Sequence, residues 1–396
     1  MSFRNLMSGL AAGCFLISCQ TASALDTDSR DGQQVSPDSS NSDSGIRLPF
    51  FGRPAAEEDE TDTAAESDAD TSEPLAETPE TADETPPEPP PPPEPDILTQ
   101  AAIAYGSFHS DVGTYNRDFS SSEDVQTALD ALGSHNPRRL ASGWLAYSAM
   151  LAAQSEEFEE GVLQARDAFG RERFLTGMRN DPSYALSIRG ADSAMQLVLG
   201  ASHSDAQRID EVGENMREQA YSLQQLGWAR ARLPGLPADD ARALREAAEE
   251  GRPQSGAVRS LFLGPNADAA LANASLLGGS SSIWDVMTST GTELRLPGLN
   301  RPVAASRSTY NVANDHLRTG GSIATLAALR HMDETETQNE FVAAALNDPQ
   351  TQGCFENAQL NLLQCVSASR NVFERPFCIG VHALKDVGSC VGDLTE

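Results

Sequence analysis

Four cysteines lie close together near the C-terminus: Cys354, Cys365, Cys378 and Cys390. Four thiols can close two disulfides in an oxidising compartment, or Cys378 can join His382, one helical turn later, in a zinc site. Spacing narrows the disulfide options. The stretch "CFENAQLNLLQC" is helical in pattern. Eleven residues turn a helix by about 1100°, so Cys354 and Cys365 share a face but stand ~16 Å apart. That exceeds the ~7 Å reach between bridged Cα atoms, and these two cannot bond each other. A break near Asn371 and Val372, followed by a second helix limited by Gly388, predicts an antiparallel helical hairpin over 350–392. The pairs Cys365–Cys378 and Cys354–Cys390 are both centred on that break, so both would cross the hairpin as nested rungs. Export favours the disulfides over the zinc reading.

Elsewhere the sequence holds few chemical markers. Lys385 is the only lysine, which excludes a Walker A loop and a Ser-x-x-Lys acyl-transfer pair. His-Glu-x-x-His, Gly-x-Ser-x-Gly and Cys-x-x-Cys-His patterns are also absent from the sequence. The runs "LGGSSS" (277–282) and "TGGS" (319–322) are Gly/Ser turns of a kind that can cradle an anion, but they read as turns leading into helices, with Ser282 and Ser322 in cap positions. Among the six histidines, Asp315-His316 and His331-x-Asp333 come near ligand-like spacing with a carboxylate, and both read as surface polar pairs. Glu156, Glu157, Glu159 and Glu160 open a helix, where the dipole favours acid. No catalytic residue, metal ligand or cofactor-binding residue is assigned.

The N-terminus raises a different chemistry. Arg4 precedes an apolar run from Leu6 to Ile17, too short for the ~18–20 residues of a membrane span, and the pattern is that of a secretory signal. Within "GCFLISCQTASALD", Leu16-Ile17-Ser18-Cys19 resembles the lipobox of bacterial lipoproteins. The resemblance implies cleavage after Ser18 and a diacylglyceryl group on Cys19, making 1–18 the signal and 19–25 the lipid-anchored start. Gln20 in place of Asp implies the outer membrane, with the body facing the periplasm. The competing site, Ala22-Ser23-Ala24, would release a soluble periplasmic or secreted chain beginning at Leu25. The C-terminal cysteine layout is in turn similar to the twin-cysteine hairpins of CHCH-type mitochondrial proteins. That likeness spans about 37 residues with different spacings, and it implies similar geometry without kinship.

Between anchor and body, residues 26–96 hold 21 acidic side chains against 3 arginines, and "TPPEPPPPPEP" closes the stretch. Such a composition cannot bury enough apolar surface to offset chain entropy and predicts a disordered, extended linker. Its one apolar cluster, Ile46 to Phe51, is either a docking motif or a degenerate linker patch. Residues 97–396 carry 37 acids against 24 basic residues, which disfavours nucleic acid and anionic lipid as partners. Membrane contact is then expected only through the anchor.

Apolar residues in the body recur at helical spacing: Val125, Ala128, Leu129 and Leu132, then Leu140, Trp144, Tyr147 and Leu151. Ser121 with Asp124 and Ser282 with Asp285 mark helix starts. Ala191–Leu233 is the longest predicted helix, with Gly200 as a point of division. Its stripe Ile209, Val212, Met216, Gln219, Leu223 and Leu226 reads as the buried face of an intramolecular bundle. "LPGLP" (233–237) marks a break between two lobes, and 278–303 is a second loose region. The expected fold is all-α: an irregular multi-helix domain ending in a disulfide-stapled hairpin. The expected function is structural or protein-interacting, toward an envelope protein or cell-wall component. The alternatives are a cell-wall glycan hydrolase with a Glu or Asp general acid and a periplasmic small-ligand carrier.

Overall fold

Side chains that accept hydrogen bonds from free backbone amides set where the helices begin. The computed structural model describes residues 95–264, 267–268, 270–271 and 311–394. Asp96 takes the amides of Leu98 and Thr99 to open α1 (Ile97–Tyr115). Ser121 takes that of Asp124 to open α2 (Ser122–Gly133), as its spacing predicts. Asn136, with Pro137 behind it, starts α3 (Pro137–Ala152), and Ser155 starts α4 (Glu156–Phe169) at the acidic run. Each such cap is worth about 1 kcal/mol. Then come α5 (Arg171–Asn180), a 3-10 turn (Tyr184–Ser187), α6 (Ala191–Leu223), α7 (Pro237–Glu250) and α8 (Gly256–Phe262). After residue 310 follow α9 (Leu317–His331), α10 (Asn339–Leu346) and α11 (Pro349–Ala368). The last, α12, runs as Glu374–Cys378, a π-helical stretch Ile379–Lys385, and Asp386–Gly392. The described residues contain helices and isolated bridges such as Arg232 to Asn371, with no strand among them, so the all-α expectation holds.

α3 is the buried axis. From Leu140 to Ala152 it hides Trp144, Leu145, Tyr147, Met150 and Leu151 almost completely, because α1, α9 and α11 all pack around it. Truncating Trp144 would cost roughly 3–5 kcal/mol by lost transfer energy and cavity formation.

α6 departs from its predicted bounds. Gly200 does not divide it, and it ends at Leu223, ten residues short of the expected Leu233. Serial turns from Gln224 onward replace its last part, leaving Leu226 exposed. Its stripe is an intramolecular seam: Ile209, Val212, Met216 and Leu223 are buried on the side where α12 packs. Gln219 interrupts the stripe because it has backbone to hold. Its carbonyl accepts from the Phe119 amide at 2.9 Å, and its own amide donates to the Arg117 carbonyl at 3.2 Å. Gly213 and Gly380 let the two helices touch. A Cβ at Gly380 would lie 2.4 Å from the Gly213 oxygen, and one at Gly213 would lie 2.6 Å from the Gly380 oxygen.

"LPGLP" ends in Pro237 at the first turn of α7. Hydrophobic residues on both sides of it belong to one core cluster, within a unit that spans residues 87–396. Among the described residues no helix is long and apolar enough to cross a membrane. The lipobox with Cys19, the linker up to residue 94, the Ile46–Phe51 cluster, "LGGSSS", the Ser282–Asp285 cap and the loose region 278–303 lie outside the described residues.

Candidate functional site

The stapled hairpin is where sequence and structure meet most closely. α11 ends at Ala368, and the chain reverses through a corner pinned to the segment after α6. There the Leu233 amide donates to the Arg370 carbonyl at 2.9 Å, and the Val372 and Phe373 amides donate to the carbonyls of Ala231 and Ala229. α12 then returns alongside. Cys354 bonds Cys390 and Cys365 bonds Cys378, with Cα separations of 5.7 and 5.6 Å. These are the nested rungs that the spacing predicts. Gly388 does not limit the second helix, which continues to Gly392 and carries Cys390 within it. In its place against α6, a Cβ at Gly388 would sit 3.3 Å from the Ala206 oxygen and 3.5 Å from Ile209. Tertiary packing thus outweighs the weak helix propensity of glycine. Cys378 is consumed by its disulfide, so no thiolate is left there to pair with His382. The His382 ring instead places Nδ1 2.9 Å from the Asp386 carboxylate.

Two features flank the staple. Arg375 is fully buried and donates through Nη2 to Asp240 at 2.6 Å, tying α12 to α7. On the other side Tyr221, Phe373 and Phe377 border a groove of about 280 Å³ next to Cys365 and Cys378. Tyr221 is 55% exposed.

A second cluster, between α1 and α6, has no marker in the sequence. Tyr105 donates to Asp205 at 3.0 Å, and His109 Nε2 lies 3.7 Å from the same carboxylate oxygen. Arg208 Nη1 lies 3.2 Å from His109 Nδ1. A guanidinium can only donate, so Nδ1 accepts and the neutral ring carries its proton on Nε2. Burial, then the charge of Arg208, pushes the His109 pKa well below its usual range. Burial and the Asp205 charge hold the Tyr105 and Tyr147 phenols well above theirs. An acid, an imidazole and a phenol in contact could move a proton, but Tyr105 and His109 are completely buried and Asp205 nearly so. Their arrangement locks α1 to α6. Nearby, Asp111 accepts from Arg252 through both oxygens, at 2.5 and 3.2 Å, and lies 2.8 Å from His135 Nε2. Only Tyr105 and His109, four apart on α1, could have been paired from sequence. Asp205 lies a hundred residues away.

The residues read as metal-ligand candidates do not converge. His316 Nε2 is 3.9 Å from Asp315 in a 3-10 turn. His331 differs from the surface expectation: its ring packs edge-on against Phe158, 6.0 Å between centroids, and burial lowers its pKa. Among the described residues no group of three or more His, Cys, Asp or Glu is placed to hold a metal ion. The glutamates opening α4 bind neighbours: Glu157 accepts from Ser193 and Glu160 from Arg189, each at 2.7 Å. The Asp130 carboxyl has its pKa raised by desolvation, with Gln126 donating to it.

"TGGS" corrects another expectation. It is the interior of α9 and not a turn, and Ser322 caps nothing. The glycines are there for contact. A Cβ at Gly321 would fall 1.9 Å from the Pro182 oxygen, and one at Gly320 3.2 Å from Val312. Compared with family models, with curated proteins and with solved structures, the chain matches none.

Proposed function

We propose that this protein is a cell-envelope lipoprotein, anchored through Cys19, that presents its helical body on the acidic 26–96 tether and binds an envelope protein or cell-wall component. The carrying observation is the pair of nested disulfides, Cys354–Cys390 and Cys365–Cys378. Structural disulfides belong to oxidising compartments, which agrees with the export signal read at Arg4 to Ile17. A fixed end gives a long tether its use, and about 71 residues of flexible chain span roughly 50 Å, more if extended by charge and proline. Two or more acyl chains give stable anchoring.

The decisive experiment is intact-mass analysis of the processed protein, with fractionation of a Cys19→Ala variant. The expected mature chain begins at an acylated Cys19, and Cys19→Ala leaves the membrane fraction. An unmodified N-terminus at Leu25 overturns the anchor. For the interaction role, cross-linking in intact cells should capture one partner reproducibly. Scrambling 55–95 at constant composition should preserve that capture, and deleting it should not.

A further inference from the structure

A cleft of about 720 Å³ lies away from the hairpin groove, between α5, α9 and α10. That is the size of a small-molecule site. Its construction starts with Gly321. Without a side chain there, the turn after α5 lies directly on α9, which brings Arg179 and Pro182 to the same cleft as α9. From α9 itself come Arg318, Ser322 and Thr325, at spacings of four and three that place them on one face. The N-terminus of α10 completes the wall with Asn339, Glu340 and Phe341.

The charges do not follow the rest of the body. Arg179 stacks over Phe341, with Cζ 5.2 Å from the ring centroid, and donates to Gln338. Among the described residues no carboxylate lies within ion-pair distance of it. A stacked guanidinium is held in orientation while most of its donors stay available. Arg318 is 3.7 Å from Asp348, whose other oxygen already accepts from Thr319 and Thr351. With 64% of its side chain exposed, Arg318 is only loosely neutralised. Against these two cations the cleft offers one carboxylate, Glu340. No side chain caps α10, so its first amides and positive dipole end stay open. Independently of all this, Thr325 lines the cleft and is 2% exposed, and its buried hydroxyl has no hydrogen-bond partner among the described residues. A buried hydroxyl without a partner is unfavourable unless something supplies one.

We infer that this cleft binds a small organic oxyanion, a carboxylate or a phosphate monoester. Arg179 and Arg318 hold its charge, Thr325 hydrogen-bonds it, and Phe341 and Ala345 face its carbon skeleton. In a body with thirteen more acids than bases, such a patch admits a small ligand while the surrounding charge repels polyanions. The site does not depend on the tether or on Cys19, so failure of the anchoring proposal leaves it standing.

The test is calorimetric titration of the purified protein with succinate and with inorganic phosphate, at ionic strength fixed with chloride. Saturable one-site binding of at least one probe is expected, and the tighter one identifies the oxyanion. Arg179→Ala combined with Arg318→Ala should weaken it by about tenfold or more, and Thr325→Val by about fivefold. Both variants should keep the melting temperature of the unliganded protein, since the arginines are exposed and valine preserves the threonine shape. Arg259→Ala, on α8, should bind as the wild type does. No saturable heat with either probe overturns the inference, as does binding that the double arginine variant leaves unchanged.

Discussion

Replacing Cys354 and Cys390 together by alanine removes the outer rung while leaving the inner one. The bridged residues are 36 apart in sequence for the outer pair and 13 for the inner. In the chain-entropy treatment, closing a loop of the larger size restricts the unfolded chain by about 3.8 kcal/mol and one of the smaller size by about 2.9 kcal/mol. The rungs are nested, so their effects do not simply add. With Cys365–Cys378 intact, the unfolded chain takes a short cut across the inner loop, and the outer bridge closes an effective loop of roughly 24 residues. Its removal should then cost about 3.4 kcal/mol. Losing both rungs should cost about 6 kcal/mol, comparable to the whole stability of many domains at 5–15 kcal/mol.

Urea titrations of wild type, the outer-pair variant and the double-pair variant measure these differences directly from midpoint and slope. A thiol reductant acting on wild type gives an independent reading, because it breaks both bonds while keeping every sulfur in place. Its loss should match the double-pair variant within the packing contribution of buried Cys378. A loss below about 1 kcal/mol on removing the outer pair would refute the reasoning. It would mean that the hairpin is already held in the unfolded ensemble, or that α11 and α12 are fixed by their contacts with α3, α6 and α7 alone.

Burial of His109 gives a pH prediction. Its folded pKa is depressed and its unfolded value is the ordinary 6.5, so below pH 6.5 the unfolded chain binds the proton first and stability falls. The slope is about 1.4 kcal/mol per pH unit, down to the folded value. Denaturant titrations across pH 5–8 should show this slope in wild type and a shallower one in His109→Gln, with half-buried His331 supplying the remainder; equal slopes would contradict the assignment. Gly321→Ala places a Cβ 1.9 Å from the Pro182 oxygen. It should cost roughly 1–3 kcal/mol by overpacking, and thermal melting together with anion titration should show lower stability and weaker binding in the same variant.

The hairpin was legible because helix geometry acts on short distances. The interval from Cys354 to Cys365 excludes one pairing, and a break at Asn371 centres the other two. The cap at Ser121 was legible for the same reason, since donor and acceptor are neighbours in sequence. What failed involved residues far apart. Glycine at 388, 320 and 321 reads locally as a helix stop or a turn, yet each sits inside a helix where another backbone or side chain comes close. Tyr105 and Asp205 are ordinary in their own segments and meet only when α1 packs near α6. The cleft was hidden twice over. Its arginines lie 139 positions apart, and the i, i+4, i+7 pattern of Arg318, Ser322 and Thr325 on α9 was masked by reading "TGGS" as a turn.

Asp348 joins the two regions that carry the functional argument. It is 2% exposed and caps α11, the first helix of the stapled hairpin, by accepting from the Thr351 amide at 3.0 Å. The same oxygen, Oδ2, also accepts from Thr351 Oγ1 at 2.8 Å and from Thr319 Oγ1 of α9 at 3.0 Å. Its other oxygen faces Arg318 of the cleft at 3.7 Å. A buried carboxylate needs several donors to stay charged, and here three of them converge on one atom while the cation beside the other is half in water. An oxyanion in the cleft therefore competes with Asp348 for Arg318 without removing any of the three hydrogen bonds that hold the cap. The hairpin keeps its start whether the cleft is filled or empty, because the interaction shared between them is the weaker, solvent-screened one.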